Sequence, residues 1–427
     1  MHIVKHIYFS ELCYLIIYMR TIIFIGRHYP PKILKSINED SKGQIGLSTH
    51  NYEESFIDGL STLHDTVVKV IVNPAIPSFP HNFKRCFIKR EQYKIQGIDV
   101  TSIPVFNLLI INRIWSLLCL IYAIFYTLKG LKNKDEIVII NNIADLSSLA
   151  ATRIVKKISS LSLNVFTIVL DIPIDVTLLY QKSIIKASVV GYFDKEKIRL
   201  AKKSDYRILL TKQMESIIPG INTIVEGMIK ISSYSNNIIR DHKPDKEIIA
   251  YTGSVQKVFG VWNLVEAFRI ANLENAELWI CGSGDLSKEL EELSRNVSNI
   301  KYYGLVDSEK AKQIQIEATI LVNPRTSEGE YTKYSFPSKT IEYLITGRTV
   351  VGNKLEGIPE EYFQYVYTPV DESVYSLSEC LKKVVNCPWE ERFKKQVEGR
   401  NFIIDNKNSS IQVRRIIDNY YKFKIST

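Results

Sequence analysis

Apolar residues follow two rhythms along this chain. Short apolar runs of strand length alternate with longer stretches in which apolar positions recur every three or four residues. In the first half the runs Thr21–Gly26, Val67–Val72, Glu136–Asn141, Asn164–Leu170 and Tyr206–Thr211 predict strands. Tyr52–Leu63 and Leu146–Lys157 predict helices, and a polar loop carrying Gly43, Gly46, Ser48 and His50 follows the first strand. Residues 75–100 read as irregular, with a basic cluster at Lys84, Arg85, Lys89 and Arg90. In the second half, strands are expected at Ile248–Tyr251, Ala276–Cys281, Ile300–Tyr303 and Thr319–Asn323. Helices are expected at Val261–Ala271, Leu286–Ser294 and Asp307–Glu317, and again after Asp371 and Pro388. Strand–helix alternation of this kind predicts an α/β fold with doubly wound parallel sheets. The aperiodic polar run Ser232–Lys246, with Pro244, separates the halves as a linker. The expected organisation is an extension at 1–18, a Rossmann-like domain at 19–231, the linker at 232–246 and a second Rossmann-like domain at 247–400. A helix at 401–427 would pack back on the first domain, and the two domains would face each other across a cleft.

The stretch Asn323–Tyr362 is the densest in candidate chemistry. Pro324 stops a strand, Ser335 is placed to cap a helix, and Pro337 suits its first turn. Ser338–Ile345 makes the helix and Gly347 ends it as a left-handed cap. Lys339 and Glu342, three apart, share one side of that helix. A helix start at the carboxyl end of a buried strand is where α/β folds bind anions. The plainer alternative is a βα unit with a solvated Lys339–Glu342 pair. Upstream, three glycine turns stand at strand ends: Gly253-Ser254 with Lys257 and Gly260 behind it, Gly282-Ser283-Gly284, and Gly304. The second lacks the third glycine of a dinucleotide fingerprint and is not in the chain's first βα turn, which argues against a nicotinamide cofactor.

Composition adds bounds. With 427 residues the chain exceeds one core, and its formal net charge of +9 suits an anionic partner. The six cysteines form no CxxC pair and the seven histidines no ligand cluster, so neither metal nor cofactor is expected and the thiols look reduced and cytosolic. Residues 1–18 carry Glu11 and no small-residue cleavage site, unlike a signal peptide; translation could start at Met1 or Met19. Val105–Leu128 carries a single charge, Arg113, and its uncharged part from Ile114 is shorter than the ~20 residues of a spanning helix. Two readings stand: a buried core helix, or an in-plane helix with Trp115, Tyr122 and Tyr126 at a lipid interface.

In order, YTGSVQKVFGVWNLVEAF, ELWICGSGDL, NIKYYGLV, ILVNPR and SFPSKTIEYLITGRTVVG resemble a family 4, "group 1", retaining glycosyltransferase of GT-B fold. The likeness is close over about 247–370 and looser in the first half, through VLDIPI, LLTKQM and IVEGMI. The FPSK-x-x-EYL pattern is that of a subgroup acting in bacterial capsule, exopolysaccharide or O-antigen (lipopolysaccharide) synthesis. The resemblance implies a hexosyltransferase moving sugar from a nucleoside-diphosphate donor to a glycan or lipid-linked acceptor, with no nucleic-acid partner. It implies donor binding by the second domain and acceptor binding by the first, in the cytoplasm, peripheral on the inner leaflet of the inner membrane. By position, Glu342 would hold the donor ribose, while Phe336, Pro337 and Ser338, with the backbone at Lys339, would hold the diphosphate. Gly253 and Gly260 would pass beside the phosphates, and Gly282 and Gly304 would line the nucleotide pocket.

Departures from the family pattern carry expectations too. Tyr334 stands where a sugar-contacting Glu is usual, leaving Glu330 (or Glu328) as a substitute, and Ser254 and Phe259 replace the basic pair that clamps the diphosphate. A cation must then come from Lys257, Arg325 or Lys339, with Lys339 favoured for catalysis. Asp171 takes a lesser catalytic place after Leu170, where relatives carry His, or serves only as a cap. Gly46, Ser48 and His50 are expected on the acceptor side. A sugar-nucleotide 2-epimerase shares the architecture without the FPSK pattern, and a catalytically decayed assembly partner is the other rival.

Overall fold

Strand β1, Arg20–Gly26, is buried on both faces from Thr21 onwards, which marks a central strand of a covered sheet. The computed structural model describes residues 20–41, 47–132, 135–173, 184–234, 239 and 241–426. The extension at 1–18, Gly43 and Gly46 lie outside the described residues. Contacts divide the chain into two compact units. One runs to Leu209 and takes in Glu215–Thr223 and Val413–Thr427, and the other comprises Leu210–Met214 and Ile224–Gln412.

In the first unit β1 is followed by α1 (Pro31–Asp40), α2 (Ser48–Ser61), β2 (Thr66–Val72), β3 (Phe87–Ile88), β4 (Gln92–Ile95), β5 (Ile98–Ser102) and β6 (Val105–Phe106). Then come α3 (Leu109–Leu128), β7 (Glu136–Asn142), α4 (Leu146–Ile158), β8 (Leu163–Val169), α5 (Ile184–Ala201), β9 (Tyr206–Leu209) and β10 (Asn222–Ile224). The sheet order is β10-β9-β8-β7-β1-β2-β5-β4. From β9 to β5 the pairs are parallel, so the order reverses direction between β1 and β7. That reversal is the topological switch point of a doubly wound sheet.

Three expectations are corrected here. Ser48 and His50 are not in a loop: α2 begins at Ser48. Residues 75–100 are not all irregular, because Gln96 and Gly97 take positive φ (49° and 80°) and turn β4 back on β5 as a hairpin. The apolar helix starts at Leu109, since Val105–Phe106 pairs with Phe87–Ile88. Leu120, Ile124 and Leu128 pack against Ile23, Ile25, Ile137 and Ile139, as the core reading expects, while the helix's other face is exposed.

The second unit contains β11 (Glu247–Thr252), α6 (Val261–Ala271), β12 (Ala276–Cys281), α7 (Ser287–Asn296), β13 (Ile300–Tyr302), α8 (Ser308–Glu317) and β14 (Ile320–Asn323). It continues through α9 (Lys339–Leu344), β15 (Thr349–Gly352), β16 (Val366–Tyr367), α10 (Val374–Asn386), α11 (Trp389–Asn406) and the start of α12 (Ser409–Ser426). Its sheet is wholly parallel, in the order β13-β12-β11-β14-β15-β16, and switches between β11 and β14. Alternation along β11 sends Ile249 and Tyr251 to a cluster with α6, α7 and α10, and Ala250 to one with α9 and α11. At its amino end Glu247 takes a bidentate pair from the buried Arg392 of α11, at 2.6 and 3.2 Å. That pair leaves the strand's carboxyl end free for chemistry.

The unit boundary falls at Thr223–Ile224, ahead of the linker read at 232–246, where Ile231–Tyr234 forms a single 3₁₀ turn. Residues 401–406 belong to α11, and α12 alone carries the last residues into the first unit. There Tyr420 meets Phe166 and Tyr206 ring to ring, and Lys424 bonds Glu136 at 2.9 Å.

Candidate active site

Three turns stack side by side at the carboxyl ends of β11, β12 and β13. Gly253 N–H donates to the Cys281 carbonyl at 2.8 Å, and Gly282 N–H donates to that of Gly304 at 2.7 Å. The Tyr302 hydroxyl also donates to the Gly282 carbonyl, at 2.7 Å. This row brings Gly253, Gly282 and Gly304 together as the sequence order implied.

Lys339 closes the row. Helix α9 is bolted to β11 by the wholly buried Tyr343, whose hydroxyl accepts from Thr252 N–H at 3.0 Å. That fastening lays the Lys339 side chain on the Gly253 turn, where a Cβ would overlap Cε and Nζ. Gly253 also has φ of +152°, so glycine is required twice over. The ammonium lies 5.7 Å from the Tyr251 ring centre and 6.0 Å from that of Tyr343. It makes no hydrogen bond or ion pair with any described residue. Burial pushes its pKa down, but the Tyr343, Glu342 and Tyr251 oxygens outweigh that and the net shift is upward. At neutral pH only Glu342 among those three is ionised, and the lysine keeps its proton. A half-buried cation without an ion pair among the described residues, beside glycine backbone, is chemically suited to an anion.

Glu342 does not pair with Lys339. Its Oε1 accepts from the Ser338 hydroxyl at 2.7 Å, so the charge-pair alternative is set aside. The helix starts at Lys339 rather than Ser338, and Ser335 is not its cap. Ser335 Oγ instead accepts from Arg325 Nη1 at 3.3 Å. Arg325 lies over the rings of Phe259 (5.8 Å) and Tyr331 (5.6 Å). Arg325 thus reaches Phe259, the position that lacks a basic residue. Gly260 belongs to this side of the switch point: its missing Cβ makes room for the Pro324 carbonyl.

The remaining candidates scatter. Ser254 Oγ donates to the Ser283 carbonyl at 3.4 Å, and Lys257 is exposed with its N–H on Asp285 at 3.0 Å. Phe336 is buried against Tyr362 and Pro337 is buried, so both shape the loop from within. Glu330 is exposed and paired with Lys333 at 3.2 Å, and the same ammonium lies over the Tyr334 ring. In the first unit Asp171 is exposed just beyond β8, and Ser48 is exposed at the start of α2.

His50 is buried within a network that sequence reasoning missed. Its Nδ1 accepts from Tyr29 N–H at 3.2 Å, and burial pushes its pKa down. One turn on, the wholly buried Glu53 accepts from Arg27 N–H (2.5 Å), His28 N–H (2.9 Å) and the Asn142 amide (3.1 Å). Tyr93 hydroxyl meets His28 Nε2 at 2.9 Å. Glu53 thus bridges β1 and β7 at the first unit's switch point. A Glu in the midst of an α2 pattern carries no local sign of this; its partners come from distant strands. The same holds for Tyr343, which reads in sequence as one more apolar position.

Residues 246–383, about a third of the chain, match the family model described as Glycosyl transferases group 1. That segment is a group 1 glycosyltransferase domain, and the enzyme class is glycosyltransferase. Solved structures of like fold include sucrose-phosphate synthase from Thermosynechococcus elongatus, at 13% identity and TM-score 0.61, covering 96% of this chain and 100% of that one. Anabaena Alr3699/HepE in complex with UDP is 12% identical at TM-score 0.59, with 96% and 100% covered. The lipopolysaccharide outer core galactosyltransferase WaaB is 13% identical at TM-score 0.58, with 94% and 99% covered. At such identities these show the fold, which is GT-B. No curated protein sequence matches the chain.

Proposed function

We propose that this enzyme moves a hexose-type sugar, with retention of configuration, from a nucleoside-diphosphate sugar to a glycan acceptor carried on a lipid, in bacterial surface-polysaccharide synthesis. The observation that carries this is the Lys339 ammonium on the Gly253 turn, without a hydrogen bond or ion pair to any described residue, at the switch point of a group 1 domain. The donor's diphosphate would sit between Lys339 and the row of glycine turns. Its negative charge grows as the glycosidic bond breaks, and a fixed cation with fixed backbone dipoles stabilises that charge without reorganising. Arg325 supplies the second cation in place of the basic residues absent at Ser254 and Phe259. Glu342, steadied by Ser338, would accept the two ribose hydroxyls. Departure of the leaving group then needs no metal. The UDP-bound HepE structure of like fold agrees with a nucleotide donor, and the WaaB likeness agrees with a surface-glycan acceptor. Activity is expected in the cytoplasm, at the inner leaflet.

Incubation with a panel of UDP-, GDP- and dTDP-sugars plus membrane lipid is expected to release one nucleoside diphosphate. No binding and no release with any donor would overturn the reading. Glu342→Ala is expected to weaken donor binding about tenfold by titration calorimetry. Unchanged affinity would remove Glu342 from the ribose.

A further inference from the structure

Helix α3 presents large apolar side chains on both of its faces. The inner face meets the sheet through Leu120, Ile124 and Leu128. On the outer face Ile114 (59% exposed), Leu118 (58%), Tyr122 (68%) and Tyr126 (65%) recur at helical spacing, flanked by Ile111, Trp115 and Phe125. A surface helix of a soluble domain turns polar residues outward; this one carries an apolar stripe of about 22 Å from 111 to 126. Neighbouring helices add Ile158 of α4 and Tyr192 of α5, both more than 60% exposed. An apolar face of this breadth needs a cover.

The charges around it select the cover. From residue 100 to 132 there is no Asp or Glu, whereas Arg113, Lys129 and Lys132 are basic. At the amino end of the stripe an aromatic chain runs from Trp115 through Phe106 to the exposed Phe87, with centroids 6.4 and 6.1 Å apart. Exposed Lys89 and Arg90 follow directly on β3. An apolar stripe with interfacial aromatics and a basic margin is complementary to an anionic bilayer. The helix has the length and composition to span a membrane. Its inner face is held in the unit's core, however, so it can only lie in the plane.

We infer that the outer face of α3, with Phe87, Lys89 and Arg90, docks the first unit onto an anionic lipid surface, the apolar stripe entering the headgroup–acyl boundary. The inference needs neither donor nor acceptor, so it stands or falls apart from the transferase reading.

The test is co-sedimentation of the full chain with sucrose-loaded vesicles of phosphatidylcholine, with and without phosphatidylglycerol. Binding is expected on the anionic vesicles, at least tenfold weaker on phosphatidylcholine alone. Leu118→Glu/Tyr122→Glu alters only exposed positions, so its melting temperature should match wild type while binding falls at least tenfold. Lys89→Glu/Arg90→Glu should lose at least tenfold at low salt. Wild-type protein that stays in the supernatant with both vesicles overturns the inference. So do variants that sediment like wild type. A wild-type dimer that Leu118→Glu/Tyr122→Glu dissociates, without vesicle binding, would assign the face to a second copy instead.

Discussion

Two switch points, one in each unit, have the same topology and opposite chemistry. In the first unit the ends of β1 and β7 are tied together by Glu53, whose carboxylate accepts from two backbone N–H groups and the Asn142 amide. In the second, the crevice beside β11 is bordered by glycine turns and by Lys339, which has no hydrogen bond or ion pair with any described residue. A buried charge that is fully hydrogen-bonded locks a loop; one left without a partner waits for a ligand. Strand order alone therefore does not say which crevice receives a substrate. The difference lies in whether the local polar groups satisfy one another.

That contrast can be broken by experiment. Lys339→Met should lower turnover ~10²–10³-fold, the scale of losing one preorganised electrostatic partner of a developing charge. Thermal stability should change little, because the ammonium makes no hydrogen bond or ion pair with any described residue. A fall in melting temperature as large as that of Glu53→Ala would make Lys339 structural and end the comparison. Glu53→Ala should itself destabilise the chain by ~3 kcal/mol in urea unfolding, since it orphans three buried donors. An unaffected midpoint would show that Glu53 does not hold the ends of β1 and β7 together.

Gly253→Ala sharpens the picture on the other side. The new methyl would displace the flexible end of Lys339 at a strained φ, so about 1 kcal/mol of stability and about tenfold in donor affinity should be lost together. Loss of stability with donor affinity intact would move the diphosphate away from Gly253. The smallest effect is a pH dependence. Burial, with an added push from His28, depresses the folded-state pKa of His50 against the pull of Glu54 and Glu53. Protonation then favours the unfolded chain, so stability is full above about 6.5 and declines as pH falls below it. Melting curves from pH 8 to 5 should show this decline, and His50→Gln should flatten it.

Much of the second unit was legible in sequence, because strand runs and helix spacing record burial directly. The order of glycine turns followed by the Lys339 helix needed no coordinates; Gly347 has its left-handed φ of 67°, but the helix is capped two residues earlier by the right-handed Ile345. Legibility failed where a side chain has several possible partners and the fold chooses among them. Ser335 looks like a helix cap, but its hydroxyl serves Arg325. Lys339 and Glu342 look like a pair, but Ser338 takes the carboxylate. Ser48 and His50 look like loop residues near an acceptor, yet they lie in α2, with His50 bonded inside the first unit.

By itself, then, the amino-acid order determined the alternation of strands and helices, the division into two sheet-bearing units and the transferase motifs of the second. Local periodicity encodes which face is buried, and motif spacing encodes which turns end which strands. Tertiary structure alone decided that Glu53 ties β1 to β7, that Lys339 rests on Gly253, and that α3 buries one apolar face while leaving the other uncovered. Each of those outcomes depends on side chains meeting across strands and helices distant in sequence, and no local pattern records such a meeting.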